Sequence, residues 1–135
     1  VIILPKVFLG GTCNESTWRK NLISALKIDY FNPVVDDWNE ECRLREIEER
    51  ENCDFCLYVI TPLITGFYSI AEVVDDSNKR PNKTLFCVLE RDKQYTFSDE
   101  KTHSLEAVKR LVESNGVHVF NSLRDVALFL NHTIE

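Results

Sequence analysis

Glu72 is an acid set among apolar neighbours in the stretch GFYSIAEVVDDSNKRP, residues 66–81, with Ile70, Val73 and Val74 around it. A carboxylate there either turns outward to water or is held in a pocket, where it can act as a nucleophile or stabilise positive charge. Three further segments carry groups that can do chemistry. In GGTCNEST, residues 10–17, Gly10 and Gly11 let backbone approach a ligand, and Thr12 leads toward a helix start whose free N–H groups suit an anion. In NPVVDDW, residues 32–38, Asn32 and Pro33 precede the paired acids Asp36 and Asp37. Asp37 suits a helix cap, and Trp38 either packs on the core or offers a flat face to a base, core packing being the expectation. In TPLITGFYS, residues 61–69, Gly66, Tyr68 and Ser69 lead into the helix of Glu72.

The sequence has five cysteines, at positions 13, 42, 53, 56 and 87, an odd count at irregular spacing that does not match a secreted disulfide framework. Cys53 and Cys56 form a C-x-x-C, but no second such pair or H-x-x-x-H accompanies it. The pair also opens a strand, whereas a thioredoxin-type motif opens a helix. Free buried thiols in a reducing cytosol are expected, with no metal.

Elements of alternating type must position these groups. Strand-length apolar runs fall at 6–11, 29–34, 54–61, 83–89 and 116–120, and amphipathic helical stretches at 15–26, 38–52, 69–78, 98–115 and 122–134. Strands apolar on both faces belong in a parallel sheet covered by helices on each side. The pattern predicts an α/β fold of the flavodoxin-like (Rossmann-like) type: a three-layer α/β/α sandwich around a five-stranded parallel sheet in order 2-1-3-4-5. Ligands of such folds bind outside the carboxyl ends of the strands, where strand order reverses. That places the site among residues 10–17, 32–38 and 61–69, with Glu72 in the first turn of its helix. The charges of residues 38–52 read mainly as a solvated face, with Glu41–Arg45 and Glu46–Arg50 spaced to pair.

Other readings of this architecture lack their residues. No G-K-[ST] follows the glycines, so a P-loop is unsupported. Strand 3 ends in VITP without a phosphorylatable Asp, and strand 5 ends in VHVFNS without a Lys, which excludes a receiver domain. A flavin-binding electron carrier is disfavoured because GGTCNEST lacks a closely spaced hydroxyl run.

With 135 residues and 44% of them hydrophobic, the chain suits one domain over residues 1–135 with a substantial core. A net charge of −6 argues against a nucleic-acid groove. No apolar run approaches the ~20 residues needed to span a bilayer, so no membrane partner is expected. The opening VIILPKVFLGG lacks a basic region and a small-residue cleavage site, so it reads as a first strand and not a signal peptide. A few native residues are expected to precede Val1, which is not Met.

Together, VFLGGTCNESTWRKNL, YFNPVVDDW, CDFCLYVITP and GFYSIAEVVDDSNKRP resemble the nucleoside 2-deoxyribosyltransferase-like domains. The likeness is closest to the branch with an F-L-G-G turn and S-I-A-E followed by S-N-K-R-P, and runs from about Lys6 to Leu130. It implies cleavage or transfer at the N-glycosidic bond of a nucleoside or nucleotide, with a glutamate attacking C1′. Glu72 falls on the nucleophile, eighteen residues after Asp54 as the family spaces them, and Glu46 falls on an acid that helps hold the substrate. Phe8, Gly10, Gly11, Thr12, Asn32, Pro33, Asp37, Trp38, Gly66, Tyr68 and Ser69 are the implied substrate-binding positions. No cofactor is implied, the compartment is cytoplasmic, and relatives form homo-oligomers through helices beside the crevice. The chain departs from the pattern twice: Phe8 replaces a tyrosine that orients the nucleophile, and Gly66 replaces a base-binding Asp. Those departures keep a second reading open, a catalytically weak nucleotide-binding regulatory module.

Overall fold

Residues 2–13 and 15–134 are described in a computed structural model. Strand β1 (Lys6–Gly11) leads to helix α1 (Trp18–Ala25), β2 (Asp29–Phe31), α2 (Glu40–Asn52), β3 (Phe55–Ile60) and α3 (Tyr68–Lys79). A 3₁₀ turn (Pro81–Lys83) enters β4 (Thr84–Val88), and the small strands β5 (Arg91–Asp92) and β6 (Tyr95–Thr96) precede α4 (Asp99–Ser114), β7 (His118–Phe120) and α5 (Leu123–His132). The main sheet has the order β2-β1-β3-β4-β7 with every neighbour parallel, the expected topology.

Alternation along the strands explains the layers. Val7, Leu9, Leu57, Val59, Leu85 and Cys87 point to one face, where they meet Trp18 and Leu22 of α1 and Val126, Ala127 and Leu130 of α5. Phe8, Cys56, Tyr58, Ile60, Phe86 and Val88 point to the other, against Val73 of α3 and Val112 of α4. Helix α2 joins that second layer through Arg50, whose guanidinium bonds Asp75 and Asp76 of α3.

Local chemistry fixes where the elements begin and end. Side chains of Asn39, Ser98 and Ser122 accept from backbone N–H groups of Cys42, Lys101 and Asp125, capping α2, α4 and α5. The expected cap of α2 at Asp37 is therefore corrected: Asp37 lies in an exposed bend before the helix, and Asn39 supplies the acceptor. Gly11 ends β1 with φ +119°, and a Cβ there would fall 2.1 Å from the Val59 carbonyl oxygen. Only glycine permits this backbone so close to β3.

Other boundaries differ from expectation. Strand β2 stops at Phe31, because Pro33 has no N–H and the Asn32 side chain turns back to accept from Val34 N–H at 3.1 Å. The β5–β6 hairpin, with Lys93 at φ 56°, is too short to leave an alternating pattern. Cysteine burial is mixed: Cys53, Cys56 and Cys87 are buried, Cys42 is half-buried and Cys13 is exposed. Cys53 Sγ donates to Glu49 and Cys56 Sγ to the Arg50 carbonyl, and burial pushes both thiols up to about 12. Among the described residues no helix is long and apolar enough to cross a membrane.

Candidate functional site

A cavity of about 480 Å³ opens at the carboxyl ends of β1 and β3, the point where strand order reverses. Its floor is Phe8, Gly10, Gly11 and Thr12, one side is Pro33 to Val35 with Trp38, and the opposite side is Ile64 to Gly66 with Tyr68 and Ser69. Glu46 and Glu72 supply its carboxylates, and Arg19 its buried cation. The size and mixed lining suit a small organic ligand.

The strand ends are pinned tightly. Thr12 Oγ1 accepts from Thr61 N–H at 2.9 Å, and Thr12 N–H donates to the Val59 carbonyl at 2.8 Å. Arg19 donates through Nε to the Leu9 carbonyl at 3.0 Å and through its terminal nitrogens to the carbonyls of Gly11 and Thr12. Those bonds satisfy carbonyls that the end of the sheet leaves without partners. Gly10 is small for a steric reason, since a Cβ there would lie 2.6 Å from the Tyr58 ring.

Glu72 is the fifth residue of α3, where its first turn passes into the second, and its side chain is 12% exposed. Burial drives its carboxyl up to about 7, the Arg50 and Arg19 guanidinium groups oppose that rise, and the charges of Glu46 and Asp76 add to it. Glu72 therefore exists in both protonation states near neutral pH. Glu46 is also raised, by burial, against the pull of its hydrogen bond from Trp38 and the charge of Arg50.

Trp38 does not pack into the core. It is 56% exposed, and its indole Nε1 donates to Glu46 Oε1 at 3.2 Å, tying the loop after β2 to α2 across the cavity mouth. The Glu46–Arg50 pairing expected along α2 gives way to longer-range contacts. Arg50 turns inward to Asp76 at 2.8 Å and Asp75 at 3.1 Å, while Arg43 pairs with Glu40 and Arg45 lies 3.9 Å from Glu49.

The structure thus gathers Phe8, Gly10, Gly11, Thr12, Pro33, Trp38, Glu46, Gly66, Tyr68, Ser69 and Glu72 around one space, and leaves Asn32 and Asp37 outside its lining. Asp54 lies at the far end of the sheet, where its carboxylate accepts from Lys6 N–H. Of the other lining residues, Cys13, Val34, Val35, Ile64 and Thr65 fall within the three predicted segments without having been singled out, and Arg19 falls outside them. Loop position was the available signal for five of them, and Arg19 gave none within an amphipathic helix. Among the described residues no group of three or more His, Cys, Asp or Glu side chains is placed to hold a metal ion.

The model of the family described as nucleoside 2-deoxyribosyltransferase like matches residues 4–91. The chain belongs to this family. No curated protein and no solved structure matches it. The family match spans β1 to β4, ending at the first residue of β5, and so contains every residue lining this cavity, but it ends well short of Leu130, where the expected likeness stopped. Outside the matched region, strand β7 completes the sheet of this nucleoside 2-deoxyribosyltransferase-like chain, and helices α4 and α5 pack on its two faces.

Proposed function

We propose that this chain breaks, or exchanges the base across, the N-glycosidic bond of a nucleoside or nucleotide. The observation that carries the reading is Glu72: a largely buried carboxylate, raised to about 7, lining a ligand-sized cavity at the strand ends. The ionised Glu72 attacks C1′, the C1′–N bond breaks, and its electron pair leaves with the base, which takes up a proton. An incoming base nitrogen or a water then attacks C1′, gives up its proton to solvent, and the C1′–O bond breaks to release Glu72 as carboxylate. A desolvated carboxylate suits the oxocarbenium-like transition state on either side of that intermediate. Glu46, held by Trp38, takes the role of gripping the sugar, and Tyr68 and Ser69 border the same space.

The domain spans residues 1–135, works in the cytoplasm and forms a homo-oligomer in this proposal. The test is incubation with a panel of nucleosides and nucleoside phosphates, with and without an acceptor base, followed by chromatography for released or exchanged base. Base release that Glu72→Gln removes supports the reading; a wild-type protein that releases no base from any member of the panel overturns it.

A regulatory nucleotide-binding module is the second reading, and Phe8 favours it. Its ring is 1% exposed and stacks on Phe31 with 5.8 Å between centroids, so no hydroxyl enters the cavity from that position. Calorimetric binding of a nucleotide without base release selects this reading.

A further inference from the structure

We propose that Arg50 is the positioning residue of the site, clamped from behind by Asp76 so that its remaining guanidinium edge fixes the Glu72 carboxylate and balances its charge. The proposal rests on the reading of Glu72 as the reactive group.

Geometry assigns the role. Three acids, Glu72, Asp75 and Asp76, lie three and four residues apart on one side of α3, and one cation from α2 meets all of them. Arg50 Nη2 donates to Asp76 Oδ1 at 2.8 Å and Nε approaches Asp76 Oδ2 at 3.4 Å, a two-pronged grip on one carboxylate. Nη2 also reaches Asp75 Oδ2 at 3.1 Å. Nη1 is left on the side of Glu72, 3.7 Å from its Oε2. That distance is an ion pair and not a hydrogen bond, so Glu72 keeps its oxygens for a substrate.

The anchor is rigid. Asp76 is fully buried and also takes Arg80 Nε at 2.9 Å and the Tyr58 hydroxyl. An arginine needed only to neutralise Asp76 would have no reason to border the reactive carboxylate. Yet Arg50 lines a smaller cavity of about 220 Å³ that shares Trp38, Glu46, Tyr68 and Glu72 with the main one. The charged and titratable groups acting on Glu72 are Arg50 and Glu46 from α2, Asp76 from α3 and Arg19 from α1, with the Tyr58 phenol of β3 held neutral beside Asp76. Arg19 is committed to three backbone carbonyls, which leaves Arg50 as the paired cation.

The test follows the Glu72 carboxyl directly, by carbon NMR of protein labelled at the glutamate carboxyl, with the resonance assigned by its loss in Glu72→Gln. In Arg50→Met the titration midpoint of Glu72 should rise by about one pH unit or more. In Arg50→Lys, whose single ammonium cannot serve Asp76 and Glu72 together, it should rise by about half that. Assayed at a pH where Glu72 is ionised in every variant, turnover should fall at least about tenfold in Arg50→Met with KM within about threefold, and Arg50→Lys should recover part of it. An unchanged Glu72 midpoint in folded Arg50→Met overturns the proposal; if that variant does not fold, an unchanged midpoint in Arg50→Lys does so. Titration needs no substrate, which separates the two readings. An Arg50-dependent midpoint in a protein that releases no base keeps this inference and sinks the glycosidic reaction, whereas base release with an Arg50-independent midpoint sinks this inference alone.

Discussion

Glu46 and Glu72 line the same cavity, and the negative charge of Glu46 helps to hold the Glu72 carboxyl protonated up to about pH 7. In the proposed reaction, attack on C1′ requires the ionised form, so kcat/KM for base release should rise with pH and level off above a midpoint near 7. Glu46→Gln removes one of the charges that raise Glu72 and should move that midpoint down, even as the loss of substrate contacts raises KM. The measurement is a pH–rate profile of both proteins. A wild-type profile flat from pH 5 to pH 9 would detach Glu72 from the rate.

The same burial sets the sign of a stability effect. Glu72 has a folded value of about 7 against an ordinary 4.5, so its contribution to stability is complete below about 4.5 and is lost as pH rises through about 7. Glu72→Gln, neutral at every pH, should match the wild type near pH 4. Near pH 8 it should be more stable by on the order of 2 kcal/mol, while losing at least about two orders of magnitude in turnover. Urea denaturation at the two pH values measures the first effect. A variant less stable than the wild type at pH 8 would mean that the Arg50 pairing outweighs desolvation.

The fold was legible because its signals are periodic and summed over many residues. Runs such as VFL and CLYVI are apolar on both faces and alternate with amphipathic helical stretches, which marks a parallel sheet covered on each side; the structure places Val7, Leu9, Leu57 and Val59 on one face and Phe8, Cys56, Tyr58 and Ile60 on the other. Glu72 stood out for the same reason, as a break in an apolar run. Side-chain direction was not legible. Arg50 read as the partner of Glu46 one turn away, yet burial of Asp76 draws it across to α3. The cluster of acids at 72, 75 and 76 was the cue for that: Lys79 and Arg80 pair with Asp75 and Asp76 from the same segment, while the ion pair of Glu72 comes from α2. Trp38 read as core because tryptophan usually is, but the Glu46 acceptor holds it at the cavity mouth.

Gly66 tests where the base sits. A Cβ added at Gly66 meets nothing within 4 Å, so Gly66→Asp introduces an acid into the lining without displacing a neighbour. Stability should change by no more than about 0.5 kcal/mol. The relative rates across a panel of bases should shift toward those with an amide or amino group able to donate to the new carboxylate. Identical preferences in the two proteins would place the base away from this side of the cavity.

Cys13 offers an independent probe of the same space. It is exposed, lies on the cavity lining, and its Sγ is 3.4 Å from the Gly11 carbonyl oxygen. Cys53, Cys56 and Cys87 are buried, with burial pushing each thiol up to about 12, so they present almost no thiolate at neutral pH. An aromatic disulfide reagent at pH 7.5 should therefore modify Cys13 first, with half-buried Cys42 slower and the other three silent until the protein unfolds. The attached aromatic thiol occupies the ligand space beside Gly11 and Arg19, so base release should fall in step with the fast phase. Cys13→Ser should remove the fast phase and leave activity resistant to the reagent, which separates blockage of the cavity from damage elsewhere. Full activity after one equivalent has reacted at Cys13 would show that the substrate does not use the β1 side of the cavity, and with it the glycine turn would lose its place in binding.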